Sequence, residues 1–375
     1  MKKYVYADNA ATTKVDKMAY DAMLPYLLEE YGNASQPYAF ARRPKKALQE
    51  ARETIASCIG ALPEEIFFTS GGTESDNWAI KGTTMFDREN HSIIISAFEH
   101  HAVLHSCAAL ERLGHTVILV DPTREGIITT DSLKESFDSR VKLVSIMLVN
   151  NEIGSIQPIR DLCEIAHSRG ALFHTDSVQA VGHMEIDVKE LSIDLLSASA
   201  HKFNGVKGCG FLYVRKGCQI YSYFDGGLQE SGIRAGTENI AGIVCMATAL
   251  KNNCDNLQKN RKVILELEQG LLDRLAGTGI PFTRNGGANA LPGLISLSFP
   301  GADGESILHR MDLLGISIST GSACNSRDTE ISHVLKAIKL DETLAKGTIR
   351  ISLGKYNTLD DVELIVDALK KILKD

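Results

Sequence analysis

Two runs near the middle of the chain, Leu172-Phe173-His174-Thr175-Asp176 and Leu195-Leu196-Ser197-Ala198-Ser199, each begin on an apolar pair and close on a polar residue. Their length suits a strand and is too short for a helix. Outward from this pair, short apolar runs recur at Ile66–Thr69, Ser92–Ser96, Thr116–Val120, Leu143–Val149 and Gly210–Val214. Helical spacing fills the gaps over Thr73–Lys81, Ala102–Leu113, Asp131–Phe137 and Ile159–Arg169. Strand, helix, strand over this length predicts an α/β fold with a mostly parallel, seven-stranded sheet covered by helices on both faces. Ligands of such folds sit at the carboxyl ends of the strands, where Asp176 and Ser199 fall.

From about Glu238 to Ala276 the pattern is helical, with a break near Asn252–Asn256. A shorter alternation follows, with strands at Leu294–Phe299, Ile316–Ser319 and Ile349–Leu353 and helices at Glu305–Leu314 and Leu359–Leu373. This predicts a smaller C-terminal α+β domain, with residues 15–255 forming the large domain and 1–14 with 256–375 the small one. A chain of 375 residues exceeds the ~250–300 at which a single core stops growing. No linker rich in Gly, Pro or Ser separates the two parts, so they are expected to pack as one unit.

A net charge of −7 without a block of five like charges argues against a nucleic-acid binder or a basic membrane-surface protein. No apolar run approaches the ~18 residues of a spanning helix. The stretch Met1–Asp8 lacks the apolar core of a signal peptide, so a cytoplasmic location is expected. Eight irregularly spaced cysteines, with no C-x-x-C pair, fit free thiols in a reducing compartment.

Ser199-Ala200-His201-Lys202 places a lysine where a buried strand meets a glycine-containing turn. Lysines are ordinarily solvated, yet an amine at the mouth of a sheet can be desolvated and become a nucleophile for a Schiff base. Asp176 either caps a helix over Val178–Val181 or faces the pyridine nitrogen of a cofactor, where its charge keeps that nitrogen protonated. Thr69-Ser70-Gly71-Gly72-Thr73-Glu74 is either a tight turn or an anion cradle at a helix start, and it matches no nucleotide motif. Glu99-His100-His101, with His105 and Cys107, offers imidazoles but no third ligand at a recognisable spacing, so a stacked or satisfied ring is expected there and no metal. Within Ser319–Asp328, Cys324 stands alone in a polar, small-residue segment expected to be an exposed, mobile loop. The other thiols lie mostly in or beside apolar runs, and an exposed thiol is seldom kept without a use.

In this order the segments resemble the cysteine desulfurases of the NifS/IscS-like branch, in the class V aminotransferase group of fold type I pyridoxal phosphate (PLP) enzymes. The resemblance runs from Tyr6-Ala7-Asp8-Asn9-Ala10-Ala11-Thr12-Thr13 to Arg350-Ile351-Ser352-Leu353-Gly354. Its most specific elements are residues 70–77, 149–154, 199–202, 234–239 and Gly321-Ser322-Ala323-Cys324. It implies that Lys202 holds PLP, that His100 stacks on the ring and that Asp176 pairs with the ring nitrogen. Gln179 and Asn151 would address the phenolic oxygen, and Gly72, Thr73, Ser199 and His201 the phosphate, with Thr237 reaching in from the second subunit of a homodimer. Arg350 would clamp the substrate carboxylate, assisted by Asn33. The implied reaction turns L-cysteine into L-alanine, with Cys324 taking the sulfur as a persulfide and passing it to an acceptor such as an iron–sulfur scaffold protein. His100 or another base near the cofactor would help to form the thiolate.

The chain departs from the family pattern at Gln36, Tyr38, Val206, Leu228, Ser231 and Ile331, none of which removes a catalytic group. Another class V enzyme, such as a selenocysteine lyase or an aminotransferase, would not require Cys324. A non-catalytic assembly scaffold would need none of Lys202, Asp176 and His100.

Overall fold

The computed structural model describes residues 4–86, 89–320 and 331–374. In chain order its strands are β1 (Val5–Tyr6), β2 (Ile66–Thr69), β3 (Ser92–Ser96), β4 (Thr116–Val120), β5 (Val141–Ser145), β6 (Leu172–Asp176), β7 (Leu195–Ser199), β8 (Gly210–Val214), β9 (Thr283–Arg284), β10 (Leu294–Ser298), β11 (Ile316–Ser317) and β12 (Thr348–Ser352). The helices are α1 (Lys17–Met23), α2 (Pro25–Leu28), α3 (Arg42–Cys58), α4 (Gly72–Thr84), α5 (His101–Glu111), α6 (Thr130–Glu135), α7 (Ile159–Ser168), α8 (Ile240–Asp255), α9 (Leu257–Gly277), α10 (Gly304–Leu313), α11 (His333–Ala337), α12 (Glu342–Lys346) and α13 (Leu359–Lys374).

The seven-stranded sheet has the order β2-β8-β7-β6-β5-β3-β4, and only β8 runs against its neighbours. Alternate residues of each strand enter opposite cores. Phe68, Ile94, Val144 and Leu196 pack under α3, α7 and α8, while Phe67, Ile93, Leu143 and Leu195 pack under α4 and α5. Except at the edge strand β4, where Leu119 is exposed, both faces are dry, which is why these strands read as nearly continuous apolar runs. Strand β5 stops at Ser145, short of the expected Val149. Ile146 and Leu148 still donate to the carbonyls of His174 and Asp176, but no regular ladder continues.

A third core gathers Val5 and Ala7 with residues of α9, β10, β12 and α13. There β10 pairs antiparallel with both β9 and β12, and β1 pairs parallel with β11. The long helical stretch breaks at Asn256, between α8 and α9. No helix among the described residues is long and apolar enough to cross a membrane.

Candidate active site

At the carboxyl edge of the seven-stranded sheet a cleft of about 670 Å³ opens, lined by loops from both parts of the chain. Its floor is Asp176, the last residue of β6, which is 5% exposed. The expected helix over 178–181 does not form. That segment is a turn, and the Asp176 carboxylate accepts the Val178 N–H at 2.9 Å. Asp76, one turn into α4, brings a second carboxylate, so that ligand atoms of Asp76, Asp176 and His100 all lie within 4.8 Å of one another. Burial raises the pKa of both carboxyls. The neighbouring Asp176 charge raises Asp76 further, whereas His100 and Lys202 pull Asp176 back down. Below them His174 is fully buried between the Ser145 and Ser197 hydroxyls, at 2.8 and 2.9 Å, and desolvation holds it neutral with a pKa near 3. Glu99 accepts the Ser96 hydroxyl and the Met147 N–H, and burial pushes its carboxyl up to about 8.

His100 caps α5, with its Nδ1 accepting the Ala102 N–H at 3.1 Å. The ring proton therefore sits on Nε2 by the logic of the hydrogen-bond network. Desolvation lowers the pKa of this ring, so the imidazole is neutral near pH 7. Lys202 ends a short 3₁₀ turn after β7 and is half-buried. Its Nζ donates to the carbonyls of Ala10 and Ala11, at 2.5 and 2.9 Å, so the N-terminal segment positions the amine at the cleft. Gln179 donates to the same Ala10 carbonyl.

The other end of the cleft begins where β2 turns into α4. Gly71 has φ +146°, a conformation that L side chains rarely adopt, and it offers no side-chain cap to the helix. The first N–H groups of α4 are thus left for an anion beside Thr73, Ser199 and His201, all of which line the cleft. His201 is depressed to about 4, chiefly by desolvation and then by Lys202, which leaves it neutral.

The wall opposite is Arg350 of β12, 6% exposed. One terminal nitrogen pairs with Asp8 at 2.8 Å and the other donates to the Asn151 carbonyl at 2.9 Å, while Nε has no partner among the described residues. Glu152 accepts the Ser332 hydroxyl at 2.6 Å, and burial raises its carboxyl to about 7, with the Arg350 charge opposing.

Of the residues expected at the site, Lys202, His100, Gly72, Thr73, Asn151, Asp176, Gln179, Ser199, His201 and Arg350 converge on this cleft. Asn33 does not line it, and its Oδ1 accepts the Ser35 N–H instead. Thr237 is exposed and does not line the cleft of its own chain. Cys324 lies outside the described residues. The sequence reasoning passed over Asp8, Asp76 and Glu152, although each stands inside a quoted motif. The available signal for Asp76 was an acidic residue four positions after Gly72, on the face of α4 that meets the sheet.

The class V aminotransferase family model matches residues 5–365. A cysteine desulfurase IscS from Dictyoglomus turgidum is 46% identical over 376 residues, covering 100% of this chain and 95% of the relative. A solved NifS-like protein superposes with a TM-score of 0.93 at 36% identity, covering 99% of this chain and 100% of that one. Another solved structure, SspA in complex with cysteine, has a TM-score of 0.85 at 35% identity, covering 94% and 100%. Enzymes of this family depend on PLP. The residues present suit it: an amine at the cleft mouth, uncapped helix N–H groups for a phosphate, and a buried carboxylate pair in which one Asp76 oxygen has no hydrogen-bond partner among the described residues. By family and by full-length similarity, the chain belongs to the class V aminotransferases and, among them, to the cysteine desulfurases.

Proposed function

We propose that this protein is a PLP-dependent cysteine desulfurase that converts L-cysteine to L-alanine and carries the sulfur as a persulfide on Cys324. The observation that carries this is the convergence of Lys202, Asp176, His100 and Arg350 on one cleft. PLP, when bound, supplies a carbonyl for amines and a ring that accepts electrons. Lys202 is the amine that holds it and that moves protons when freed. Asp176 keeps a positive ring nitrogen beside it, and, against the desolvation that opposes it, the Val178 N–H and the Lys202 charge favour the ionised carboxylate this requires. Thr73, Ser199, His201 and the start of α4 hold the phosphate, while Gln179 and Asn151 face the ring from the side. Arg350 clamps the substrate carboxylate with two parallel N–H groups, for which Asp8 must share or yield its place. His100, with Nδ1 occupied by the Ala102 N–H, offers a donor to the cleft. It takes the Cys324 proton only by giving up that cap, so its first role is to support the ring.

Thr237 reaching into the cleft of a second copy fits its exposure and the 90% exposure of Leu228 in the same segment, and it supports a homodimer. Two domains, 15–255 and 1–14 with 256–375, are supported by the core that joins Val5 and Ala7 to residues beyond 266. A cytoplasmic location and delivery of sulfur to an iron–sulfur scaffold protein complete the proposal, and Asn33 is placed as an outlying aid to Arg350.

The test is to incubate the purified protein with L-cysteine and a thiol reductant and to assay alanine and sulfide together. Both are expected in equal amounts, with a band near ~420 nm that is absent in Lys202→Ala. Cys324→Ala should lower both products by about 10²-fold or more while leaving that band in place. Alanine formation unchanged in Cys324→Ala would refute the persulfide route and favour another class V activity.

A further inference from the structure

Away from the cleft, two thiols meet. Helix α3 ends on Cys58, α8 carries Cys254 one residue before its end, and the two helices pack along each other. Both cysteines line a separate cleft of about 450 Å³, beside the break at Asn256 between α8 and α9. Neither is fully buried, and the Cys58 S–H hydrogen-bonds the Cys254 sulfur. Cys107, Cys163, Cys209 and Cys245 are buried, and burial raises each of them above the ordinary thiol value, as it raises the half-buried Cys218 to about 11. Among the described thiols only Cys254 is lowered, and the largest cause is the hydrogen bond from Cys58. Two partly exposed thiols at contact, lining one cleft, are the arrangement of an oxidant-sensitive pair, and nothing in the desulfurase chemistry uses them.

We infer that Cys254 and Cys58 form a peroxide-sensitive dithiol, with Cys254 attacking and Cys58 resolving, that closes to a disulfide between the ends of α3 and α8. The Cys254 thiolate attacks one oxygen of hydrogen peroxide. The O–O bond breaks, hydroxide leaves and takes a solvent proton, and Cys254 becomes a sulfenic acid. The Cys58 sulfur then attacks the sulfenic sulfur, the S–O bond breaks, and the oxygen leaves as water with the Cys58 proton. Two thiols are oxidised to one disulfide, and peroxide is reduced to two waters. The new bond would tie α3 to the point where the chain passes from α8 into α9.

Full-length, PLP-loaded protein is treated with hydrogen peroxide, blocked with N-ethylmaleimide and mapped by mass spectrometry without reduction. A Cys58–Cys254 linked peptide that dithiothreitol cleaves is expected. In Cys58→Ser, dimedone should label Cys254. In untreated protein at pH 7.5, iodoacetamide should alkylate Cys254 at least ~10-fold faster than Cys218. Absence of the linked peptide at peroxide levels that oxidise other thiols would overturn the proposal. So would equal alkylation of Cys254 and Cys218, or dimedone labelling of Cys58 in Cys254→Ser without labelling of Cys254 in Cys58→Ser.

Discussion

The floor of the cleft and its far wall handle charge in opposite ways. On the floor Asp76, Asp176 and Glu99 are at most 5% exposed, and no Lys or Arg side chain forms an ion pair with any of them among the described residues. At the wall Arg350 is equally dry, yet it is paired with Asp8 and hydrogen-bonded to Asn151. Buried charges left unmatched within a chain cost several kcal/mol unless they protonate or receive a counter-group from outside. The floor is therefore prepared for a cationic guest, while the wall must exchange an internal partner for the incoming carboxylate. Cofactor binding should need little rearrangement, and substrate binding should need the Asp8–Arg350 pair to adjust.

Breaking the wall should have the largest effect. Arg350→Ala removes the clamp and strands Asp8, and should lower kcat/KM for L-cysteine by about 100-fold, or about 3 kcal/mol, mostly through KM. PLP affinity, read from the absorbance titration, should stay within about threefold of the parent, because the floor is untouched. A comparable loss of PLP affinity would show that floor and wall are not separate.

The floor can be sharpened through pH. Glu99 has a pKa raised to about 8 in the folded chain against 4.5 for its ordinary value. Between those values the native state holds more protons than the unfolded state, so stability falls as pH rises, and the full penalty is reached above pH 8. His174, lowered to about 3 from 6.5, works in the opposite sense, with stability lost as pH falls from 6.5 toward 3. Glu99→Gln removes the first effect and keeps the second. The Tm of the parent should therefore drop more between pH 6.5 and 8.5 than that of Glu99→Gln, by several degrees in differential scanning fluorimetry. Parallel curves would mean that Glu99 is ionised throughout.

The smallest effect belongs to Asn33, which sits apart from both regions with its Oδ1 turned onto Ser35. Asn33→Ala should change KM for L-cysteine by less than about twofold. A tenfold change would place Asn33 against Arg350 in the working enzyme.

Much of this was legible in the residues themselves. Six of the seven strands stood out because they are buried on both faces, the edge strand β4 kept an apolar run although Leu119 is exposed, and the break in the long helix was visible at Asn252–Asn256. The overrun of β5 past Ser145 has a simple cause: Ile146–Val149 stay buried and apolar after the ladder ends, so composition does not mark the stop. Asp176 and Lys202 were found because they stand at strand ends. Asp76, Asp8 and Glu152 were harder, since an acidic residue in a helix or loop is usually solvated, and only the packing turns these three inward. The partner of Arg350 lies 342 positions away in the chain, a distance that no local pattern spans.

The first dozen residues hold more of this centre than their length suggests. The carbonyls of Ala10 and Ala11 hold the amine of Lys202, Asp8 holds the guanidinium of Arg350, and Val5 and Ala7 are built into the core beneath. Trimming the amino end past Tyr6 would thus loosen the group that grips the cofactor and the group that grips the amino acid in a single cut, although neither is encoded nearby.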